Sequence, residues 1–331
     1  MLSKVILSIW NSISLDRRIS QTLSFLALAI LILKTSSIAK LASLLPTGNS
    51  LKAKQNKAYR AISKSFNHWE LFQVLLLLVL NIKRGITYIP VILDYTYLNQ
   101  KERLLVAAIP YKGRAIPVAF ALFDFPLKNR KRVLEKEFIG KLRGLIPKEL
   151  RLVLIMDREF CGKRFLKEVV GLGGVDVVVR LRKNANVKVK GDRLVSLRFI
   201  RKSKIKCKYG EVEGCLFVEP GKDRVLIFGT LSNLGLAVRF YRDRMCIEEM
   251  FRDFKSHFGL GEMSLKKEIS KRNLIAVLFV SYVSLCYVDW MEREKRSDYI
   301  SFVSRLLIKI ALGTSVLSDF RFLRPCCTWS L

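Results

Sequence analysis

The sequence predicts an α/β protein in which a mixed sheet stands between helical segments near the two ends of the chain. From about residue 87 the apolar pattern changes from helical spacing to alternating or continuous apolar runs bounded by turn residues, which is typical of strands. After three successive strands, helices and strands alternate, which is the pattern of parallel strands connected by crossover helices. Before this region and after residue 231 the helical period holds.

The composition requires a folded core and favours a polyanionic partner. The chain has 331 residues, of which 50% are hydrophobic, and its 59 lysines and arginines against 28 acidic residues give a net charge of +31. At about 150 residues per domain, this length suggests two domains. A disordered basic tail would be poor in apolar residues, so that class is excluded. The strong positive charge makes nucleic acid the leading partner.

Membrane and zinc-finger proteins fit the sequence less well. The longest apolar runs, at 23–33, 71–80 and 274–288, fall short of the roughly 18 residues that a membrane span needs, so we interpret them as buried helices. No convincing cleavage site for a signal peptide follows the first residues, and we expect a cytoplasmic, nucleoid-associated protein. The seven cysteines form no CxxC pair and the two histidines lie far apart, which argues against structural zinc.

The amino-terminal segment is predicted to be helical and is locally very basic. Between residues 17 and 69 it has no acidic side chain, and the turn signal at 46–50 separates two helices, the second of which Ser50 can cap. Four cations fall within about a third of the circumference of that second helix, namely Lys54, Lys57, Arg60 and Lys64. They could contact DNA phosphates or form an ordinary solvated face, and the sequence leaves both open.

The predicted sheet carries two isolated carboxylates. Strands are predicted at 88–95, 103–109, 115–123, 152–156 and 175–180, and helices at 129–145 and 163–170. Asp94 and Asp157 each come at or near the carboxyl end of a buried strand, where α/β sheets place their active sites. A carboxylate there is costly unless it meets a cation. The pair favours a magnesium site, although a cap or an ion pair with Arg158 would also explain Asp157.

Residues 182–230 interrupt the alternation of helices and strands with short strands that we expect to be antiparallel. Four lysines occupy every second position there and would share one face of a strand, namely Lys202, Lys204, Lys206 and Lys208. That face could follow a phosphate backbone, or it could keep an edge strand soluble. The sequence alone does not choose between these interpretations.

A helix predicted over 238–258 carries a polar stripe beside its buried face. On a helical wheel the stripe contains Tyr241, Arg244, Glu248 and Lys255, and it borders Ile247, Phe251, Phe254 and Phe258. Glu249 and Asp253 point elsewhere, so the wheel selects Glu248 as the carboxylate turned toward the sheet. The alternative is an amphipathic helix with ordinary surface charges. Further helices are predicted at 271–291 and 299–312.

This spacing of tyrosine, arginine, glutamate and lysine resembles the Y-R-E-K signature of insertion-sequence transposases of the DDE class, whose fold is like ribonuclease H. The run 247–256 is similar to the family's IE..FRDLKS, and 177–180 is similar to a strand of the family. Residues 94–96 resemble its first D-x-T element and 157–160 its D-R-G-F element. Two positions depart from the family pattern. Glu159 stands where glycine is common in the family, and Tyr95 stands where aspartate is frequent. The resemblance covers about residues 85–260.

The resemblance implies a ribonuclease-H-like mixed-sheet catalytic core with a β-rich insertion, an α-helical amino-terminal domain and carboxy-terminal helices. Residues 1–85 would bind the ends of a DNA element. The core would comprise 86–181 and 231–265, separated by the insertion at 182–230, and 266–331 would form the last helices and support a dimer.

The resemblance also implies a transposase that cleaves DNA at the ends of an insertion sequence and transfers the strands, through a hairpin. Asp94, Asp157 and Glu248 would hold two magnesium ions, manganese substituting. Tyr241, Arg244 and Lys255 would bind phosphates beside a flipped nucleotide, on which an aromatic side chain stacks. The aromatic candidates are Tyr209, Phe217 and Phe228. The partners would be double-stranded DNA of the ends and of the target, bound by a homodimer.

Other functions remain open at this stage. They are a catalytically inactive or domesticated DNA-binding relative, a nuclease without strand transfer and, far behind, a protein of the membrane surface.

Overall fold

A computed structural model describes residues 1–46, 50–82, 87–124, 126, 130–190, 193–200, 204–219 and 225–294. Its strands are β1 (Tyr88–Asn99), β2 (Glu102–Tyr111), β3 (Arg114–Asp124), β4 (Arg151–Met156), β5 (Val175–Arg180), β6 (Asn186–Lys188), β7 (Leu194–Ser196), β8 (Lys204–Tyr209), β9 (Val212–Glu219) and β10 (Val225–Gly229). Its helices are α1 (Leu2–Asn11), α2 (Arg17–Leu33), α3 (Ile38–Ser43), α4 (Leu51–Ile62), α5 (His68–Ile82), α6 (Lys131–Leu145), α7 (Lys163–Val170), α8 (Leu234–Arg242), α9 (Cys246–Ser256) and α10 (Glu268–Glu294).

Within the described residues the ten strands form one mixed sheet, in the order β3-β2-β1-β4-β5-β10-β9-β8-β6-β7. The first three strands are antiparallel, β4 and β5 join parallel to β1, and β10 turns the sheet antiparallel again. The parallel strands β4 and β5 are buried over most of their length, and the one charged residue inside β5, Asp176, pairs with Arg151. The predicted α/β class with a mixed sheet and flanking helices is confirmed.

The first strand is longer than predicted. β1 continues to Asn99 because β2 pairs with it antiparallel as far as Glu102, so Asp94 lies inside the strand and opposite Val106. Its pairing with β4, however, stops at Leu93 and Met156. Asp94 is therefore at the end of the parallel β1–β4 ladder, although the strand itself goes on.

The amino-terminal helices pack around the long helix α10. This helix contacts α1, α2, α4 and α5 and also lies against β3. Two buried polar side chains of α10 attach to neighbouring backbone: Ser281 donates to the carbonyl of Ala27 at 3.0 Å, and Asn273 donates to the carbonyl of Ile62 at 2.8 Å. The predicted cap of α4 is present, since Ser50 accepts the N–H of Ala53.

The length of α10 corrects one prediction. Residues 268–292 are long and apolar enough to cross a membrane by length and composition, whereas the sequence interpretation held that the run 274–288 is too short. About two-thirds of this stretch is buried inside the fold, as expected of a core helix. The helix predicted at 299–312 lies outside the described residues.

The helix predicted over 238–258 is in fact two helices. α8 ends at Arg242, a 3-10 turn occupies Asp243–Met245, and α9 begins at Cys246. A wheel at 100° per residue assumes an unbroken α-helix, so it could not show the tighter turn. The turn places Arg244 between two helices, where it reaches the sheet.

Candidate active site and nucleic-acid cleft

Two of the three predicted carboxylates meet at the end of the β1–β4 ladder. Leu93 pairs with Met156, so Asp94 and Asp157 are the next residues on neighbouring strands. Parallel pairing brings such residues to the same edge of a sheet. The register of buried apolar residues on β1 and β4 therefore decides that these acids lie side by side.

Glu248 comes to this edge from α9. The apolar face of α9, with Ile247 and Phe254 fully buried, packs on β1, β2 and β3. Glu248 lies in the first turn of the helix, where the helix dipole favours a negative charge. We call Asp94, Asp157 and Glu248 the acidic edge.

Arg244 joins two members of the acidic edge. Its Nη1 lies 2.9 Å from Oδ2 of Asp94 and its Nη2 lies 2.9 Å from Oε1 of Glu248. The Arg244 side chain is only 11% exposed and Asp94 20%, so this pair is largely shielded from water, whereas Glu248 is 45% exposed. A single cation thus holds together two carboxylates that would otherwise repel each other.

The pKa of Asp94 reflects this crowding. Burial is the largest cause and raises the pKa of the carboxyl to about 6, against the lowering effects of Arg244 and of the Tyr95 N–H. Asp157 and Glu248 raise it further, which shows that the three acids share one electrostatic environment. An edge of this kind is stabilised by cations.

The donor set fits a hard divalent cation. Oδ1 of Asp157 is buried and has no hydrogen-bond partner among the described residues. Carboxylate oxygens are the ligands that magnesium and manganese prefer. With the side chains as they stand, no group of three acidic, histidine or cysteine residues within the described chain is close enough to form a ready-made metal site. Arg244 occupies the space between two of the carboxylates.

The remaining residues of the polar stripe divide between the edge and the surface. Tyr241, at the end of α8, is buried, and burial raises the pKa of its phenol beside Arg244 and Asp157. Lys255 is exposed near the end of α9, about two turns beyond Glu248. The structure therefore places Tyr241 and Arg244 beside the acidic edge, and Lys255 is exposed further along α9.

A basic cleft of about 910 Å³ opens beside Asp157. One wall is formed by residues 157–159 and the other by 180–184 together with Arg198. Its cations are Arg158, Arg180, Arg182, Lys183 and Arg198. Of these, the sequence analysis found only Arg158. The closely spaced Arg180, Arg182 and Lys183, directly after a core strand, were the signal that could have indicated the others.

Two of the three predicted stacking aromatics are not available for stacking. Tyr209 and Phe228 are buried in the core, and the Tyr209 hydroxyl donates to the carbonyl of Cys161 at 2.8 Å. Phe217 is partly buried. The sequence analysis missed Phe199, which is 78% exposed and follows Arg198, one of the residues that line the cleft. An apolar residue in a short basic segment gave no periodic pattern from which exposure could be predicted.

The alternating lysines lie as predicted on one face of β8. Lys204, Lys206 and Lys208 are exposed, whereas Cys207 and Tyr209 are buried. We call these three the lysine stripe; Lys202 lies outside the described residues. Lys206 and Lys208 line a second groove of about 670 Å³ with Lys188 and Lys190.

The basic helix α4 also has its cations at or near the surface. Lys57, Arg60 and Lys64 are exposed, and Lys54 is partly buried, with its Nζ 3.3 Å from the carbonyl of Ser43. Lys64 lies two residues beyond the end of the helix. Nothing in these contacts distinguishes a DNA-binding surface from a solvated one.

Comparison with known proteins supports the predicted resemblance. Residues 130–284 match the family model described as transposase DDE domain, a range that includes Asp157 and Glu248 but begins after Asp94. No curated protein sequence matches significantly. A chain in the structure titled "Cryo-EM structure of piggyBac transposase synaptic complex with hairpin DNA" has a similar fold, with a TM-score of 0.58 and 10% identity. The similarity covers 98% of the present chain and 82% of that one, and at this identity it shows the fold alone.

Proposed function

We propose that the protein is a DDE transposase, which cleaves DNA at the ends of an insertion sequence and transfers the strands at the acidic edge. The observation that carries this proposal is the position of Asp94 and Asp157 at the end of one parallel ladder, with Arg244 linking Asp94 to Glu248, beside a basic cleft. The match of 130–284 to a transposase DDE domain supports DNA transposition as the process.

The proposed cofactors are two magnesium ions, manganese substituting, and Asp94, Asp157 and Glu248 would hold them. When bound, such ions activate the attacking hydroxyl and stabilise the leaving 3′ oxygen. The partnerless oxygen of Asp157 and the crowding of three acids support this role. Both features are costly in a protein that has no cation to place there.

The residues of the chain itself hold and orient the DNA strand. Arg158, Arg180 and Arg182 line the cleft and supply bidentate donors for phosphate oxygens. Arg244 keeps Asp94 and Glu248 together at 2.9 Å from each. With a strand bound, its guanidinium has phosphate oxygens as alternative acceptors, as the resemblance implies for this position.

The hairpin step is part of the proposal. Tyr241, Arg244 and Lys255 would contact the phosphates of the terminal nucleotides. Phe199 is the candidate for stacking on a flipped base, because it is exposed and follows Arg198, which lines the cleft. The similar piggyBac transposase structure contains hairpin DNA, which supports the proposal of a hairpin step.

The wider organisation is proposed from the sequence. Residues 1–85 would bind the element ends through Lys54, Lys57, Arg60 and Lys64, and the insertion 182–230 would add the lysine stripe. The active complex would be a homodimer on double-stranded DNA, in the cytoplasm at the nucleoid, and a membrane is not among the proposed partners. The burial of α10 supports the last point.

A catalytically inactive DNA-binding relative is the alternative. The observation that favours it is Arg244, which lies where two carboxylates would otherwise face a metal ion.

The test uses the purified full chain and DNA that carries the sequences bordering its gene. The proposal predicts nicking at the element end and joining of the free 3′ hydroxyl to a target plasmid, both dependent on magnesium or manganese. Glu248→Gln should bind the same DNA and release no nick. If the unaltered protein binds the ends but never nicks them with either metal, the alternative is correct.

A further inference from the structure

The short loop after Asp157 is held by a set of charged residues around Glu159. We propose that Glu159 is a positioning residue that fixes this loop so that the Asp157 carboxylate is presented for cation binding. This inference rests on the proposed function. We call the set the Glu159 clamp, and its members are Tyr95, Arg103, Lys131, Arg132, Glu135 and Glu159.

The carboxylate and the backbone of Glu159 are both fixed. Arg103 of β2 lies with Nη1 3.1 Å from Oε1 and Nη2 3.5 Å from Oε2 of Glu159, and Lys131 of α6 donates to the same Oε1. Arg132 donates to the carbonyl oxygen of Glu159. A strand and a helix therefore hold one residue that lies two positions after Asp157.

Tyr95 completes the clamp from the other side. Its hydroxyl donates to Oε1 of Glu135 at 2.8 Å, and this fully buried carboxylate is also paired with Arg132 at 2.7 Å. The cations that hold Glu159 lie over the Tyr95 ring, with Cζ of Arg103 4.6 Å and Nζ of Lys131 4.9 Å from its centre. Tyr95 and Glu159 thus share their partners.

This sharing explains two sequence peculiarities together. Tyr95 and Glu159 are the positions at which the chain departs from the transposase pattern, and they are far apart in sequence. In the fold the same two cations contact both. A glycine at 159 would leave Arg103 and Lys131 without that carboxylate.

The rest of the loop is equally well satisfied. The Phe160 N–H donates to the carbonyl of Asp157 at 3.0 Å, and the Phe160 ring stacks on Tyr95 with centres 5.6 Å apart and planes 8° apart. The Tyr209 hydroxyl holds the carbonyl of Cys161. The loop is therefore held on both sides of Asp157, whose buried Oδ1 has no partner among the described residues.

A purely stabilising role would have a different signature. If the clamp only stabilised the fold, removing the Glu159 charge from its pair with Arg103, which is 12% exposed, would lower the thermal midpoint and leave metal affinity unchanged. Residues that orient a metal ligand change metal affinity by about 10-fold or more when they are removed. Metal affinity and global stability therefore separate the two roles.

Glu168 provides a matched control. It is 34% exposed, and it pairs with Lys136 of the same helix α6 at 3.1 Å and with Arg164 at 3.0 Å. It lies on α7, away from the Asp157 loop. Glu168→Gln therefore removes a similar charge and similar ion pairs without touching the clamp.

The experiment compares Glu159→Gln with Glu168→Gln in the full chain. The readouts are Mn²⁺ binding by calorimetry, amide hydrogen exchange of residues 157–161, thermal midpoint and nicking. We expect Glu159→Gln to weaken Mn²⁺ binding about 10-fold and to accelerate hydrogen exchange in the loop. Glu168→Gln should match the unaltered protein in Mn²⁺ affinity and in hydrogen exchange of the loop.

A second variant tests the clamp in case Glu159→Gln does not fold. Tyr95→Phe removes only the hydroxyl, and a smaller loss of Mn²⁺ affinity, not additive with that of Glu159→Gln, would support shared partners. Equal Mn²⁺ affinity and loop exchange in Glu159→Gln and Glu168→Gln, with an active parent, would overturn the clamp alone. A parent that neither binds Mn²⁺ nor nicks DNA would overturn the proposed function as well.

Discussion

The acidic edge and the lysine stripe are both charged surfaces, but they are constructed in opposite ways. The acids of the edge come from the ends of two strand pairings and from one helix. The Arg244 guanidinium contacts the carboxylates of Asp94 and Glu248 at 2.9 Å each. On the stripe, three exposed lysines lie along a single strand, and Lys208 pairs with Glu213 at 2.9 Å. The edge depends on residues far apart in the chain, whereas the stripe depends on a local alternation. Single substitutions should therefore be severe at the edge and mild on the stripe.

The largest effect is expected from a member of the edge. Glu248→Gln should lower nicking by on the order of 1,000-fold or more, because a charged group at the reacting centre is lost, while DNA binding is retained. The rate is measured with a labelled element end at saturating protein.

Glu249→Gln is the control for this prediction. Glu249 is the next residue of α9, is 39% exposed against 45% for Glu248, and pairs with Arg252 and Arg114 at the surface. It should retain nearly full activity. Similar losses of nicking rate in Glu248→Gln and Glu249→Gln would contradict a specific catalytic role for Glu248.

Removal of the bridging cation should affect stability next. Arg244→Ala leaves Asp94 buried without its main counter-charge, and we expect a loss of about 2 kcal/mol in the free energy of unfolding at neutral pH. Magnesium should restore more stability to this variant than to the parent, since it can replace the missing cation. Urea unfolding with and without magnesium measures both effects. An equal response of parent and variant would contradict a shared cation site.

A partly buried histidine, His68, predicts that the stability of the protein depends on pH. Burial is the largest cause and, with the nearby Arg272, lowers the pKa of His68 from 6.5 to about 4. The unfolded chain binds the proton more readily, so this contribution to stability is present above pH 6.5 and is lost as the pH falls toward 4. The loss amounts to about 3 kcal/mol by linkage. His68→Gln should remove it, and unfolding curves across this pH range that remain parallel for the two proteins would refute the assignment.

The mildest effects are expected on the stripe. Each lysine-to-alanine change at Lys204, Lys206 or Lys208 should lower DNA affinity only a few-fold and reduce the slope of log affinity against log salt by about 1. Lysine-to-arginine changes should leave the slope intact. A slope that stays the same in the triple alanine variant would show that the stripe does not contact phosphates.

The two regions also differ in how far the sequence predicts them. Alternation places the lysine stripe correctly, because exposure along one strand is a local property. The spacing of Arg244 and Glu248 marks the edge, and the apolar runs before Asp94 and Asp157 place both acids on core strands. The 3-10 turn at 243–245 and the continuation of β1 to Asn99 depend on packing and on pairing with β2, which no local pattern contains.

The basic cleft and the Glu159 clamp show the same limit. Arg180 and Arg198 are 18 residues apart and meet only because the chain returns through β6 and β7. Tyr95 and Glu159 stand out in the sequence as departures from a motif, yet their common partners become visible only when β2 and α6 are in place. Long-range contacts of this kind cannot be inferred from one sequence.

Iron(II) bound in place of magnesium tests the meeting of the three acids most directly, because with ascorbate and peroxide it cuts the backbone beside its ligands. The account predicts cuts near residues 94, 157 and 248 together, suppressed by excess magnesium and all lost in Asp157→Asn. Cuts near only one of these positions, or cuts that persist in Asp157→Asn, would contradict a shared cation site.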